Sequence, residues 1–266
     1  MQNKKVLIIS SEVVPYLPQT ERSINSFKIP KSINDAGGQT RIFMPRYGLI
    51  NERRHQLHEV IRLSGMNLVI NDMDMPLIIK VASIPKERMQ VYFIDNEEYF
   101  KRKEILHDKE GALFPDNDER MIFFTKGVIE TVKKLNWSPD IIHLHGWFTA
   151  LFPLYMKTYF SQDPIFEQSK IVTSIYPDDL GGVLNPQLKE KIAFDQIEED
   201  LSSLVTPGYD QLMELAVQHS DGLILAGDTL PESVTNAVQT SKKPVLSFAD
   251  SQKENAHVDF FNSNFL

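Results

Sequence analysis

The chain has 266 residues, no cysteine and a formal net charge of −8. These values exclude disulfides, a thiol nucleophile and Cys-ligated zinc, and they disfavour the basic face that nucleic acid or an anionic membrane surface requires. The 42% hydrophobic content fits a globular protein with a sizeable core. No apolar run approaches the ~20 residues that cross a bilayer. The start, Met1-Gln2-Asn3-Lys4-Lys5, leads straight into a strand-like run without the apolar region of a signal peptide. A cytoplasmic location without nucleic-acid or membrane partners is the expectation.

Short β-branched runs alternate with longer amphipathic stretches, the pattern of a parallel sheet covered by helices. Lys5–Ser10 is a continuous apolar run, as in a central strand buried on both faces. Ile24, Phe27, Ile29 and Ile33 mark one helical face, with Gly37-Gly38 as the stop. Pro30 inside that stretch predicts a kink or a late helix start. Thr40–Met44 is a second strand ended by Pro45. The runs Val60–Leu63, Leu68–Ile70 and Leu77–Ala82 are separated by Gly, Asn and Asp, predicting an inserted antiparallel hairpin. Met89–Ile94 returns to the core-strand pattern, and Met121, Phe124, Val128, Ile129 and Val132 give Asp118–Leu135 helical spacing. Ile141–His145, Lys170–Ile175 and Gly222–Ala226 read as further buried strands. Helices are expected over Phe148–Tyr159, Tyr209–His219 and Pro231–Gln239, with a last strand at Val245–Phe248. The end, with Phe260-Phe261 and Phe265-Leu266, predicts a tail that docks on the body. The expected architecture is α/β: one Rossmann-like three-layer αβα domain over residues 1–249, mostly parallel with an inserted β-hairpin, and a tail at 250–266.

Ligands of open α/β sheets sit beyond the carboxyl ends of the strands. The segment Asp140 to Trp147 ends a strand there, so His145 and Trp147 are placed to meet one. His143 and His145 share a strand face, but no third metal ligand is evident and no metal or cofactor is expected. The alternative is a pair of histidines satisfied by hydrogen bonds at a strand end. Asp178-Asp179-Leu180-Gly181-Gly182 also follows a strand, and suits either a cation or sugar site or a solvated turn. Ser10-Ser11-Glu12 closes the first strand, where function and turn-capping are both common. Glu97, Glu98, Lys101, Arg102 and Lys103 read as a solvated helix surface. No GxGxxG, Walker, HExxH or GxSxG pattern occurs.

Several of these segments resemble the glycogen and starch synthases of the bacterial and plant type. They are Val6 to Pro15, Met44 to Ile50, Val91 to Phe100, Phe114 to Arg120, Trp137 to Leu151 and Leu212 to Val234, in family order across residues 5 to 239. The resemblance implies the amino-terminal half of a GT-B fold, in which two Rossmann-like domains face a cleft. Glucose then moves from ADP-glucose or UDP-glucose to an α-1,4-glucan. It implies substrate contacts at Glu12, Asp116, Asn117, His145 and Trp147, and an α-glucan as partner. The chain ends where the linker to the second domain is expected, so it is expected to be inactive alone. It then serves as a glucan- or synthase-binding module, or as half of a split transferase completed by a protein partner; a homo-oligomer is a further expectation.

The departures are specific. In the loop that resembles the family's glycine-rich donor loop, the lysine is replaced by Pro18 and two glycines by Thr20 and Glu21. A glutamate there sets negative charge where a phosphate is expected, and added side chains block backbone approach. An aspartate is replaced by Gly146 and a later histidine by Phe148, while His145 and Trp147 remain.

Overall fold

The computed structural model describes residues 1–87 and 89–266. In chain order the elements are β1 (Lys5–Ser10), α1 (Glu21–Asp35), β2 (Gln39–Pro45), α2 (Glu52–His55), β3 (His58–Glu59), β4 (Met66–Ile70), β5 (Met73–Ile84) and β6 (Met89–Asp95). They continue with α3 (Glu97–Phe100), α4 (Asn117–Lys134), β7 (Ile141–His145), α5 (Leu151–Lys157), β8 (Lys170–Ile175), α6 (Leu188–Phe194) and α7 (Tyr209–His219). The last are β9 (Gly222–Leu225), α8 (Glu232–Thr240), β10 (Val245–Leu246), α9 (Phe248–Ser251) and α10 (Ala256–Asn264).

The strands lie in the order β10-β9-β8-β7-β1-β2-β6-β5-β3, with β4 attached to β5. Strands β10 through β6 are parallel, and β5 runs antiparallel to β6, β3 and β4. Parallel strands covered on both faces must be apolar throughout, and β1 is: Val6 to Ile9 are wholly buried. Helix α1 packs on β1 and β2 and meets α10, which meets α9; on the other side α4, α5, α7 and α8 pack in succession. This is the three-layer arrangement. The chain leaves β1 for β2 on one side and returns at β7 on the other, so the strand order reverses at the β1–β7 pair. Such a reversal opens a crevice at the carboxyl ends. Among the described residues no helix is long and apolar enough to cross a membrane.

Several boundaries depart from the sequence expectation. Helix α1 does not start late at Pro30 but begins at Glu21. Thr20 caps it through Ser23, and it runs through the proline, because Pro30 is buried beside Ile29 and Ile33. Its buried stripe is Arg22, Ser23, Ser26, Ile29, Pro30 and Ile33, so Ile24 and Phe27 lie to one side of it. Val60–Leu63 is a turn rather than a strand: Leu63 and Ser64 amides both bond back to the Val60 carbonyl. The hairpin itself is β4–β5, turned by Asn71 in a left-handed conformation between Ile70 and Met73. Phe148–Tyr159 divides into a 3₁₀ turn at Trp147–Thr149 and the short α5. Val245–Phe248 stops as a strand at Leu246, because Ser247 caps α9 by accepting the Asp250 amide.

The tail segment buries Val258, Phe260 and Phe261 in α10, and Phe261 meets the His143 ring edge-on at 5.5 Å. Phe265 covers Gly222, where a Cβ would approach its ring to 2.4 Å. Phe261 is fully buried whereas Leu266 is 39% exposed. Phe261→Ala should therefore cost about 3–5 kcal/mol in urea unfolding, and Leu266→Ala no more than about 0.5 kcal/mol.

Candidate functional site

The crevice is built from three strand ends. Ser10, at the end of β1, lies opposite His145 at the end of β7, and His145 lies opposite Ser174 of β8. Into this corner the first turn of α1 delivers Arg22, 7% exposed. Its Nη1 donates to Glu12 Oε1 at 3.0 Å, and its Nη2 donates to the Asp178 carboxylate beyond β8. Its guanidinium lies 5.2 Å from the Tyr176 ring centre. A buried cation is tolerated only when it is paired, and here two loops each supply a carboxylate.

Electrostatics follow from that pairing. Burial raises the Asp178 carboxyl above its usual range, while Arg22 pulls it back down. Burial works against the charged Arg22, but Asp178 and Glu12 outweigh it and hold the guanidinium more firmly charged. Thr20 Oγ1 donates to Glu12 Oε2 at 2.6 Å, so Glu12 spends both oxygens on the start of α1. Gly146 has φ +76°, and a Cβ there would meet Arg22 Nε at 2.6 Å. Arg22 thus occupies the space above Gly146 that a side chain would otherwise fill.

The five expected site residues fall into two places. Glu12 is in the ion pair. His145 is fully buried beneath Tyr176, with Nδ1 hydrogen-bonded to the Tyr176 hydroxyl at 2.9 Å. Trp147 is 3% exposed and packs edge-on against Phe148 at 5.7 Å. Asp116 and Asn117 sit apart at the start of α4. Asp116 pairs with Arg102, and buried Asn117 donates to the Leu106 carbonyl at 2.8 Å and accepts from Arg120 at 2.6 Å. Tyr47, fully buried, stands between the two places: its phenol is raised chiefly by burial, and it feels Arg120, Glu12 and Arg22.

Arg22, Tyr176 and Asp178 dominate the crevice, yet sequence reading did not single out the first two. An arginine on the stripe Arg22, Ser26, Ile29, Ile33 was the available signal, because a charge on a buried helix face demands partners. Asp178 proves to be an ion-pair partner, and Asp179 makes the solvated turn by accepting the Gly181 amide at 2.8 Å. Arg102 leaves the exposed Glu97–Lys101 surface to pair with Asp116.

Below the crevice lies a layer of histidines. His143 and His145 have ring centres 4.2 Å apart, and His257 of α10 stands 6.3 Å from His143. His143 Nε2 bonds Ser174 Oγ at 2.7 Å, while His143 Nδ1 and His145 Nε2 find no partner among the described residues. No group of three or more metal-ligating side chains occurs among the described residues. Burial pushes His145 down to about 3 and His257 down to about 4, and takes His143 well below its usual value.

Two outcomes are expected. Arg22→Met leaves buried Glu12 and half-buried Asp178 without their cation, and should cost about 3 kcal/mol in urea unfolding. The histidines are neutral when folded but take protons near pH 6.5 when unfolded, so their contribution is complete above that pH and is lost toward pH 4. Each contributes a slope of up to about 1.4 kcal/mol per pH unit in that window. His257→Gln should flatten the measured stability–pH curve between pH 6.5 and 4.

The starch synthase catalytic-domain family profile matches residues 5–240. The glycogen synthase of Chlorobium limicola is 34% identical over 223 residues, covering 83% of this chain and 45% of the relative. That of Chlorobaculum tepidum is 33% identical and covers 93% of this chain and 49% of the relative. The catalytic domain of starch synthase IV from Arabidopsis thaliana, solved with ADP and acarbose, superposes with a TM-score of 0.74 at 15% identity. That match covers 92% of this chain and 51% of the solved catalytic-domain chain, and it shows a shared fold. The chain therefore spans about half the length of the curated relatives it matches, and it belongs to the starch synthase catalytic-domain family.

Proposed function

We propose that these 266 residues, on their own, bind α-glucan without extending it. The observation that carries this reading is the Arg22 ion pair. A sugar nucleotide presents a diphosphate, and helix N-termini with open glycine backbone are its natural seat. Here the start of α1 faces the carboxylates of Glu12 and Asp178, its hydroxyl cap donates to Glu12, and Arg22 is already neutralised by both. Two carboxylates repel a diphosphate, and an arginine held between them is not free to bind one. Removing even one donor that stabilises a transition state typically costs about 2.7–4 kcal/mol of barrier.

In this reading the glucan lies on the rim of the crevice. Asp116 keeps a quarter of its side chain exposed and meets sugar hydroxyls directly, while Glu12, with both oxygens engaged, acts through Arg22 and Thr20. His145, Trp147 and Asn117 act from beneath, His145 through the Tyr176 hydroxyl. A second reading, half of a transferase completed by a separate protein partner, draws on the match to only 45% of the Chlorobium limicola enzyme. A cytoplasmic setting suits both, since glucan and synthase partners are met there.

One experiment separates these readings. The chain is incubated with glycogen and labelled ADP-glucose or UDP-glucose, then sedimented, with dextran as control. The expected result is retention by glycogen, none by dextran and no incorporated label. Transfer at rates ordinary for a synthase overturns the proposal, as does a chain left in the supernatant at high glycogen. Label that appears only when a chain carrying the second half is added favours the split transferase.

A further inference from the structure

At the far, amino-terminal end of the sheet, β2 and β6 come apart. Their pairing begins only at Ile42 and Val91, although β2 starts at Gln39 and β6 at Met89. A cleft of about 680 Å³ opens beside this unpaired stretch, lined by Tyr16, Arg41, Arg54, His55, Lys86 and Trp137 among others. None of its lining residues among those described is acidic, a local inversion in a chain of net charge −8.

Arg41 is the unusual member. Its guanidinium lies 4.8 Å from the Trp137 ring centre and 5.7 Å from that of Tyr92. It makes no ion pair or hydrogen bond among the described residues, and its Nη1 is enclosed without an acceptor. Burial, together with neighbouring Arg62, disfavours its charge. Stacking on aromatic rings offsets part of the desolvation but satisfies none of the in-plane N–H donors. The hydroxyl of Tyr16, a residue only 4% exposed, also lacks a partner among the described residues. Arg54 and Lys86 likewise form no ion pair there, and burial keeps His55 neutral near pH 7 by lowering its pKa. Every unmatched group named here can therefore donate, and three are cations.

Such a set calls for a compact anion with several acceptor oxygens, the chemistry that arginine's planar fork recognises. We propose that this cleft binds a phosphate group, free or as the ester of a small molecule. The volume leaves room beyond the phosphate for an organic portion resting against Tyr16, His55 and Trp137. The site lies away from the crevice, and this proposal does not depend on the glucan reading.

The two tryptophans of the chain make the test specific. Trp137 lines the cleft and Trp147 lies beside the crevice, so their indole N–H resonances report the two places separately. Inorganic phosphate should move the Trp137 resonance saturably and leave Trp147 in place, while sodium chloride at equal ionic strength moves neither. The exposed double variant Arg54→Ala/Lys86→Ala should weaken binding about tenfold, and Arg41→Gln should abolish it. If Arg41→Gln fails to fold, the double variant still decides. α-D-glucose 1-phosphate binding more tightly than inorganic phosphate identifies an ester as the ligand, and equal binding identifies the free anion. A shift no larger than that with chloride, an affinity left unchanged by the double variant, or a shift that follows Trp147 overturns the proposal.

Discussion

A single guanidinium holds the carboxyl-end crevice in its present form. Arg22 leaves the first turn of α1, binds the carboxylate that follows β1, lies against the glycine that follows β7 and binds the carboxylate that follows β8. Because its charge is buried, neither carboxylate can leave without stranding it. The positive end of the α1 dipole is thereby met by side-chain carboxylates from within the chain, where a ligand's anion is the usual occupant of such a position. Tyr176 rests on the same guanidinium and carries its hydroxyl to His145, so the ion pair also sets how the histidine is covered.

From His145 the consequences run inward. His143 and His145 occupy successive positions on one face of β7, and α10 closes over that face with His257 and Phe261. Neutral imidazoles suit this dry layer because charging them there is costly. The ion pair at the mouth, the histidines behind it and the tail helix beneath form one continuous packed path. The fold is that of the starch synthase catalytic-domain family, and the side chains of Arg22, Glu12 and Asp178 fill the corner between the start of α1 and the strand ends.

Most of the scaffold was legible because buried parallel strands and long helices announce themselves by apolar runs and by period. The bounds of β7, β8 and α7 match the sequence expectation residue for residue. What escaped were features decided by tertiary context. Pro30 signalled a kink or a late start, but α1 begins at Glu21 and runs through it, and burial of its inner face outweighed one missing hydrogen bond. Val60–Leu63 had the composition of a strand, but the chain turns back there as soon as β3 has paired with β5. The candidate site was legible as a location, the strand ends at Glu12 and His145. The occupant was not: Arg22 and Asp178 are 156 residues apart in sequence, and only the fold brings them together. Nor were the partners of Asn117 legible: its amide serves the Leu106 carbonyl and Arg120.

The central claim is that the crevice is closed to a sugar nucleotide, and the Trp147 indole resonance tests it directly. Trp147 follows Gly146, on which Arg22 rests, so a nucleotide entering the crevice must disturb it. Titration with ADP-glucose into the millimolar range is predicted to leave that resonance where it stands. A saturable shift of Trp147 would show that the Arg22 pair opens to admit a diphosphate, and would contradict the account.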